Sequence, residues 1–354
     1  MGKTNLIIFA LTATGADLAR QLRDQAAAVG TTMTVCLPAK LARPDESAYA
    51  AGEFQPTLAQ AFAQYDGLVC IMATGIVVRS LAPLVRDKTS DPAVLVMDER
   101  GHHVISLLAG HVGGANALTN WVGQLLTADP VITTATDTEH VQALDVLAKQ
   151  CHGWYPEFKR TTKWINARLA AGKPVSLYVE PAFRPWLTDL RGFTVVETLA
   201  AADPDVPLVV VSDRVQTAKR DQLVPVIPRL NVLGIGCRKN VTTAMVQAAV
   251  SEFCQEHQLA WRSIGQIVSI DKKAHEAAIH YLAATWQVPV HFYTAATLRE
   301  SSEKYPQSAF VQQTVGVGNV ACAAADYASG QPVVTPRYAG HQITLALGRQ
   351  TKDD

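Results

Sequence analysis

NLIIFALTATGADLARQLRDQAAAVGTTMTVCLP, residues 5–38, is the stretch that decides the fold. Residues 5–12 form an almost wholly apolar run, which predicts a buried strand. Residues 15–30 carry apolar side chains at helical spacing and end at Gly30, which predicts a helix. Residues 32–38 predict a second strand. The stretch is therefore a β-α-β unit and places the chain in the α/β class.

The same alternation continues along the chain and predicts a multi-domain α/β fold. Residues 1–137 predict an N-terminal α/β domain, 138–228 a smaller middle α/β segment, and 229–354 a C-terminal α/β domain. With 354 residues, of which 48% are hydrophobic, the chain is long enough for two or three separately packed cores.

Composition excludes several classes of partner. Lys plus Arg and Asp plus Glu balance at 31 each, so no global field attracts nucleic acid or an anionic membrane. The apolar run from Leu6 to Leu11 is short for a signal core, and no run approaches the roughly 20 residues that span a bilayer. The 6 cysteines form no C-x-x-C pair, which favours reduced thiols in a cytoplasmic protein.

Two glycine clusters resemble dinucleotide-binding loops but fail the pattern. GIGCRKN has Lys239 where the third glycine belongs, and no acidic residue follows GVGNVA at about 20 positions to hold a ribose. The chain also lacks the G-x-S-x-G, H-E-x-x-H and Walker patterns, and its cysteines and histidines lack metal-site spacing. A nucleotide-dependent oxidoreductase is therefore a distant alternative, and we expect no protein-bound metal.

Small and polar residues followed by a cation recur where strands run into helices. Because open α/β sheets bind ligands at the carboxyl ends of their strands, we expect these positions to converge on one polyanionic ligand. The alternative for each cation is an ordinary solvated surface charge. The candidate positions are Thr74, Gly75, Arg79, Lys88, Gly236, Arg238, Lys239 and Lys272.

The stretch SLLAGHVGGANALTNW, residues 106–121, carries the best candidate for acid–base chemistry. Gly113 and Gly114 allow a tight turn with accessible amides, and Gly114 or Asn116 can cap the helix that follows. His111 titrates near neutral pH and is the candidate general base. The alternative is a histidine that only completes the turn.

Several blocks resemble one known family. They are ATGIVVRSLAPLVRDKTSDPAVLVMDERGHHVISLLAGHVGGANALT at 73–119, PVITTATD at 130–137, LGIGCRKN at 233–240, SIDKK at 269–273 and VGNVACAAA at 317–325. From about residue 50 onward the chain resembles the CbiG family, the cobalt-precorrin-5A hydrolases of anaerobic cobalamin biosynthesis. The C-terminal blocks also resemble CobE, a separate protein of the aerobic pathway.

The resemblance implies a hydrolase that acts on a carbon–carbon bond. Such an enzyme opens the ring A acetate lactone of a cobalt corrinoid and releases acetaldehyde. It implies His111 as base, Glu99 or Asp137 as an orienting carboxylate, and the amides of Gly75, Gly113 and Gly114 as oxyanion donors. Arg79, Lys88, Arg238 and Lys239 would hold substrate carboxylates, with Thr74, Asn116, Gly236 and Lys272 in the same binding loops.

The cobalt in this reaction belongs to the substrate, so we expect no cofactor. The alternative function is a non-catalytic tetrapyrrole-binding scaffold that passes corrinoid intermediates between enzymes. A homodimer is the default oligomer, and transient contacts with other enzymes of the pathway are expected.

Two positions depart from the family pattern. Asn240 stands where a small residue, often glycine, is expected, and Cys322 stands where a glutamate is common. Asn is able to adopt the left-handed backbone angles that glycine would.

Overall fold

The structure is a computed structural model that describes residues 5–87, 90–215 and 220–352. Its described residues form three β-sheets with helices packed against them, which confirms the α/β class. The chain divides into two compact units, Met1–Val146 and Leu147–Asp354. The first unit contains one sheet and the second contains two. The predicted boundaries at 137 and 228 stay predictions.

The first sheet has seven strands in the order β3-β2-β1-β4-β5-β6-β7. The strands are β1 (Leu6–Ala10), β2 (Met33–Pro38), β3 (Ser47–Tyr49), β4 (Gly67–Ile71), β5 (Ala93–Met97), β6 (His103–Leu108) and β7 (Asp129–Val131). The helices are α1 (Ala13–Ala28), α2 (Phe54–Gln64), α3 (Thr74–Leu81), α4 (Ala115–Leu126), α5 (Ala135–Thr138) and α6 (Leu144–Gln150), the last crossing into the second unit.

Strands β1 to β5 are parallel, but β6 runs antiparallel to β5 and β7 runs parallel to β6. The apolar runs at 92–98 and 103–110, joined by the turn ERGH at 99–102, predict a hairpin from sequence alone, and the antiparallel β5–β6 pair confirms it. The carboxyl ends of β6 and β7 therefore lie at the edge of the sheet opposite to the carboxyl ends of β1 to β5.

The opening β-α-β unit forms as its sequence predicts. Every residue of β1 is buried, because helices cover both faces of the sheet. Leu6 and Ile8 pack into one core cluster, whereas Ile7 and Phe9 pack into another on the opposite face. The Thr12 side chain caps α1 by accepting a hydrogen bond from the Gly15 amide.

The second unit contains a four-stranded sheet of order β11-β10-β8-β9 and a five-stranded sheet of order β14-β13-β12-β16-β15. The strands are β8 (Ser176–Val179), β9 (Thr194–Val196), β10 (Leu208–Val211), β11 (Leu223–Val226), β12 (Asn231–Cys237), β13 (Ile264–Ile270), β14 (Val290–Tyr293), β15 (Tyr338–Gly340) and β16 (Ile343–Arg349). The first of these sheets is parallel throughout; in the second, β16 runs antiparallel to both β12 and β15.

The helices of this unit are α7 (Phe158–Ala170), α8 (Thr243–Glu256), α9 (Ala277–Trp286), α10 (Ala295–Glu303), α11 (Ala309–Val315) and α12 (Val320–Ser329). Short 3-10 helices span Pro181–Trp186, Leu199–Ala201, Trp261–Ser263 and Asp271–Lys273. Within the described ranges, none of the helices combines the length and the apolar character needed to cross a bilayer.

Candidate active site

A polar centre in the first unit lies beyond the carboxyl ends of β6 and β7. His111 follows β6, and residues 134–137 follow β7. Because these two strands pair in parallel, with Ile105 opposite Val131, their following loops meet at the same edge of the sheet. The helix α4 joins the two strands, so the centre sits on a β-α-β unit of its own.

The glycine-rich turn fixes His111 in place. Gly114 has a φ of +87° and is the N-cap of α4, which confirms the predicted capping. A Cβ on Gly113 would lie 2.4 Å from Ala109 Cβ, so the chain closes too tightly there for any larger residue. The turn is closed by a hydrogen bond of 3.0 Å from the Gly114 amide to the His111 carbonyl.

Both ring nitrogens of His111 face acidic side chains. Its Nε2 lies 3.1 Å from Asp137 Oδ2 and 3.0 Å from Thr136 Oγ1. Its Nδ1 lies 3.6 Å from Oδ2 of Asp145, near the start of α6. The Asp145 side chain is fully buried, the His111 side chain is 17% exposed, and the Asp137 side chain is 38% exposed. The ring therefore bridges a buried carboxylate and one that solvent can reach.

Asn116 holds the exposed carboxylate in position. Its Nδ2 donates to Asp137 Oδ2 at 2.9 Å and to Thr134 Oγ1 at 2.8 Å. Its Oδ1 accepts a hydrogen bond of 2.6 Å from Ser106 Oγ. A Cβ on Gly110 would come within 2.7 Å of Asn116 Oδ1, so the glycine leaves room for this amide.

The two carboxylates decide the charge of the ring. Asp137, and then Asp145, raise the pKa of His111 to about 9, against an opposing effect of burial. The imidazolium in turn lowers the pKa of Asp137, with help from the hydrogen bonds of Thr134 and Asn116. His111 is therefore protonated at neutral pH, whereas a general base must lose its proton before it accepts one from a substrate.

Glu99 lies away from this centre, contrary to the alternative that paired it with His111. It lies in the β5–β6 hairpin turn and accepts a hydrogen bond of 2.5 Å from Thr12 Oγ1. The turn and the His111 loop are at opposite ends of β6, whose six residues span roughly 20 Å at about 3.3 Å per residue. Of the two carboxylates expected beside His111, the structure brings only Asp137 to the ring.

The oxyanion donors expected with His111 are also separated. Gly75 lies in the first turn of α3, beyond the carboxyl end of β4, and therefore at the opposite edge of the sheet. The Gly114 amide already donates to the His111 carbonyl. Of the three amides, that of Gly113 remains a candidate.

Thr74, Gly75 and Arg79 form a second exposed group at the start of α3. A Cβ on Gly75 would lie 3.3 Å from Nη1 of Arg79, so the guanidinium folds back over the helix start. This group lies at the edge of the sheet opposite to His111. The α3 group and His111 therefore cannot contact the same small substituent of a substrate. Lys88 lies outside the described residues.

Sequence reasoning missed Asp145 and Thr136. Asp145 occupies the first turn of α6, where an acidic residue is ordinary for a helix. Its closeness to His111 arises from packing between distant segments, which no local pattern reports. Thr136 lies beside the predicted Asp137, and its spacing carries no signal of its own.

Three family models match successive parts of the chain. Models of the Cobalamin synthesis G N-terminal, the Cobalamin biosynthesis central region and the Cobalamin synthesis G C-terminus match residues 56–137, 142–228 and 231–348. A Cobalt-precorrin-5A hydrolase of Salmonella typhimurium is 37% identical and covers 97% of this chain and 97% of its own. The chain belongs to the CbiG family. This confirms the resemblance.

A second relative in the CbiG comparison, the Cobalt-precorrin-5A hydrolase of Priestia megaterium, is 27% identical and covers 84% of this chain and 82% of its own. Among solved structures, CobE, a protein from the cobalamin (vitamin B12) biosynthetic pathway, has 26% identity and a TM-score of 0.33. The alignment with CobE covers 35% of this chain and 93% of that one. A score of this size does not establish a shared fold, so the CobE likeness stays a prediction.

The first departure from the CbiG pattern has a conformational explanation. Asn240 adopts a φ of +60°, which confirms that asparagine takes the left-handed conformation here. Cys322 is buried in α12, where its amide donates to the Asn319 cap, and nothing in the structure explains why a cysteine replaces the expected acid.

Cys237 lies directly before the cations Arg238 and Lys239. Burial raises the pKa of the Cys237 thiol to about 11, so these cations do not activate it.

The C-terminal cations of this CbiG member meet at one edge of the third sheet. Arg238 and Lys239 follow β12, and Lys272 follows the parallel neighbour β13. Both residues after β12 are exposed, whereas Lys272 Nζ donates to the Thr314 carbonyl at 3.1 Å. Their convergence with Arg79, which belongs to the other compact unit, stays a prediction.

Gly236 lies at a tightly packed position of β12, and its contact with a ligand stays a prediction. A Cβ there would lie 2.7 Å from Thr344 Oγ1 on β16 and 3.4 Å from Val320 Cβ on α12. The glycine therefore lets a strand and a helix approach β12 closely. Within residues 5–87, 90–215 and 220–352, the His111 centre included, no group of three or more His, Cys, Asp or Glu side chains is arranged to hold a metal ion.

Proposed function

We propose that the chain is a cobalt-precorrin-5A hydrolase, which opens the ring A acetate lactone of a cobalt corrinoid and releases acetaldehyde. The observation that carries the proposal is its 37% identity, over 97% of both chains, to a protein of that name. Family membership supports an enzyme. The carbon–carbon bond that breaks, and the residues that break it, belong to the proposal.

In the first step, water adds to the lactone carbonyl and the ring C–O bond breaks. The products of this step are a carboxylate on ring A and a free hydroxyl on the two-carbon unit. His111, protonated at rest, hydrogen-bonds the oxyanion that develops on the carbonyl oxygen and then transfers its proton to the ring oxygen that leaves as the hydroxyl, while the new carboxyl group releases its proton to solvent. Asp137 accepts a proton from the attacking water, because its carboxylate is ionised at neutral pH and is partly open to solvent.

In the second step, the new hydroxyl loses its proton and the carbon–carbon bond breaks. The electron pair of that bond passes to the macrocycle, and the two-carbon unit leaves as acetaldehyde. Once His111 has given up its proton, its neutral imidazole accepts the proton of the new hydroxyl. One side chain thus serves as acid in the first step and as base in the second.

The rest of the chain binds the substrate in this proposal. Arg79, Arg238 and Lys239 pair with its peripheral carboxylates, and the cobalt enters and leaves with the corrinoid. The protein works in the cytoplasm without a cofactor of its own, as a homodimer with transient contacts to other enzymes of the pathway.

The test is turnover of cobalt-precorrin-5A by the purified chain, with acetaldehyde measured by an alcohol dehydrogenase coupled assay. We expect acetaldehyde release at a rate that scales with enzyme concentration. A non-catalytic scaffold would bind the corrinoid tightly without raising the rate above background, and that result would refute the hydrolase.

A further inference from the structure

The exposed face of α7 concentrates positive charge in a chain that is neutral overall. Residues 157–173 contain five Lys or Arg residues and one Glu, whereas the whole chain has 31 of each sign. The single acid, Glu157, pairs with Arg160 at 2.8 Å, but both side chains are largely exposed, at 62% and 84%. Water screens such a pair strongly, so the face keeps a net positive potential.

This face contains a shallow cleft with an aromatic wall. Arg160, Trp164 and Arg168 follow one another at helical spacing of four, so their side chains share one face of α7. The small side chains of Ala167 and Ala171 leave space beside the Trp164 indole, which is 37% exposed. The cleft has a volume of about 430 Å³, within the range of roughly 300–1,000 Å³ typical of small-molecule sites.

Four cations line the cleft, and two of them have no acidic partner among the described residues. Arg168 is oriented by a bond of 3.3 Å from Nη2 to the Pro174 carbonyl, yet its buried Nε donates to no described atom. Lys163 and Lys173 are exposed, and the part of the chain that the structure describes offers neither an acid within 4.0 Å. Arg160 completes the set.

We propose that this cleft binds the edge of a flat, polycarboxylated macrocycle, with the ring against the Trp164 indole and the carboxylates on the four cations. An apolar ligand would leave the cations unpaired, and a compact anion would not use the indole face. The inference deepens the proposed function and rests on it for the substrate class. It gives the middle segment a role in substrate binding, apart from the chemistry at His111.

The experiment titrates the intact chain with uroporphyrin I, a flat tetrapyrrole with eight carboxylates, and follows the porphyrin absorbance. Trp164→Ala should raise the Kd about threefold to tenfold by removing the stacked ring. The double variant Lys163→Gln, Lys173→Gln should raise it by a similar factor, because screened ion pairs contribute modestly. Arg184→Gln removes an exposed cation of the same segment outside the cleft and should leave the Kd unchanged.

Two results would overturn the inference. One is a wild-type Kd in both cleft variants. The other is equal competition by a poly-glutamate peptide of the same charge, because that would show a general attraction for anions without a ring site. A Lys163→Arg, Lys173→Arg double variant should bind as the wild type does, which separates lost charge from lost folding.

Turnover separates this inference from the hydrolase itself. If the wild type releases acetaldehyde while the cleft variants keep its KM and its uroporphyrin affinity, the cleft assignment fails and the hydrolase stands. If the wild type binds uroporphyrin at the cleft without turning over cobalt-precorrin-5A, the hydrolase fails and the cleft stands. We expect cleft variants with a raised KM and an unchanged kcat.

Discussion

The positive charge on His111 is explained by the side chains that surround its ring. Two carboxylates on separate segments hold the ring as an imidazolium, and the nearby Asn116 restrains one of them. A buried histidine that only completed the turn would also need partners for its ring nitrogens. The chemical role of His111 therefore stays a prediction that the variants below test.

We predict that His111→Gln lowers kcat about 100- to 10,000-fold with little change in KM, because the amide keeps the shape but cannot transfer a proton. Acetaldehyde release at saturating substrate measures the effect. His103→Gln is the matched control, since His103 lies at the start of β6, the strand that precedes the His111 turn, with its side chain 60% exposed. Equal kcat values for wild type and His111→Gln would return His111 to the status of a turn residue.

We predict that Asp145→Asn lowers the pKa of His111 from about 9 toward the ordinary 6.5, because it removes a buried negative charge 3.6 Å from Nδ1. The pKa is measured from the ring resonances by NMR titration. Asp129→Asn is the control, because Asp129 pairs with His103 and not with His111. An unchanged His111 pKa would show that Asp145 does not influence the ring.

The same pKa predicts how stability depends on pH. Because the folded-state pKa of about 9 exceeds the unfolded value of 6.5, the proton on His111 stabilises the fold fully below pH 6.5. That stabilisation, at most about 3.4 kcal/mol for 2.5 pKa units at 1.36 kcal/mol each, is lost as the pH rises through 9. Urea unfolding between pH 6 and 10 should show this loss in the wild type and a much smaller one in His111→Gln.

At the scale of elements, α12 packs in close backbone contact with β12 of the five-stranded sheet. A Cβ on Gly234 would lie 2.0 Å from the Ala321 carbonyl oxygen, and backbone cannot move aside as a side chain can. We predict that Gly234→Ala lowers the free energy of unfolding of the second unit by about 3 kcal/mol or more. Gly75→Ala is the contrast, because its Cβ meets only the Arg79 guanidinium; equal urea midpoints for the two variants would contradict the prediction.

At the scale of the whole molecule, a buried ionic network joins the two sheets of the second unit. Asp213 follows β10 of the four-stranded sheet and accepts hydrogen bonds from Arg349 Nη2 at 2.5 Å and Asn231 Nδ2 at 2.8 Å, both in the five-stranded sheet. The Asp213 side chain is fully buried and that of Arg349 is 15% exposed. The middle and C-terminal segments therefore share one structural unit.

We predict that Arg349→Met destabilises the second unit by about 3–5 kcal/mol, because it leaves the Asp213 carboxylate buried without its main partner. Hydrogen exchange should show both β10 and β12 losing protection together, while β1 keeps its protection. The double variant Asp213→Asn, Arg349→Met should recover part of the loss. Loss of protection confined to the five-stranded sheet would contradict the coupling.

The sequence by itself determined the α/β class, the opening β-α-β unit, the β5–β6 hairpin, a cap of α4 at Gly114 or Asn116, and the family, because each rests on periodicity, turn chemistry or contiguous motifs. Only the tertiary structure decided what surrounds His111. The hairpin sends Glu99 and Gly75 to one edge of the sheet and His111 to the other. The parallel pairing of β6 with β7, which joins segments separated by a helix, brings Asp137 to the ring. Asp145 reaches the ring through packing between distant segments, so the charge on His111 follows from the fold.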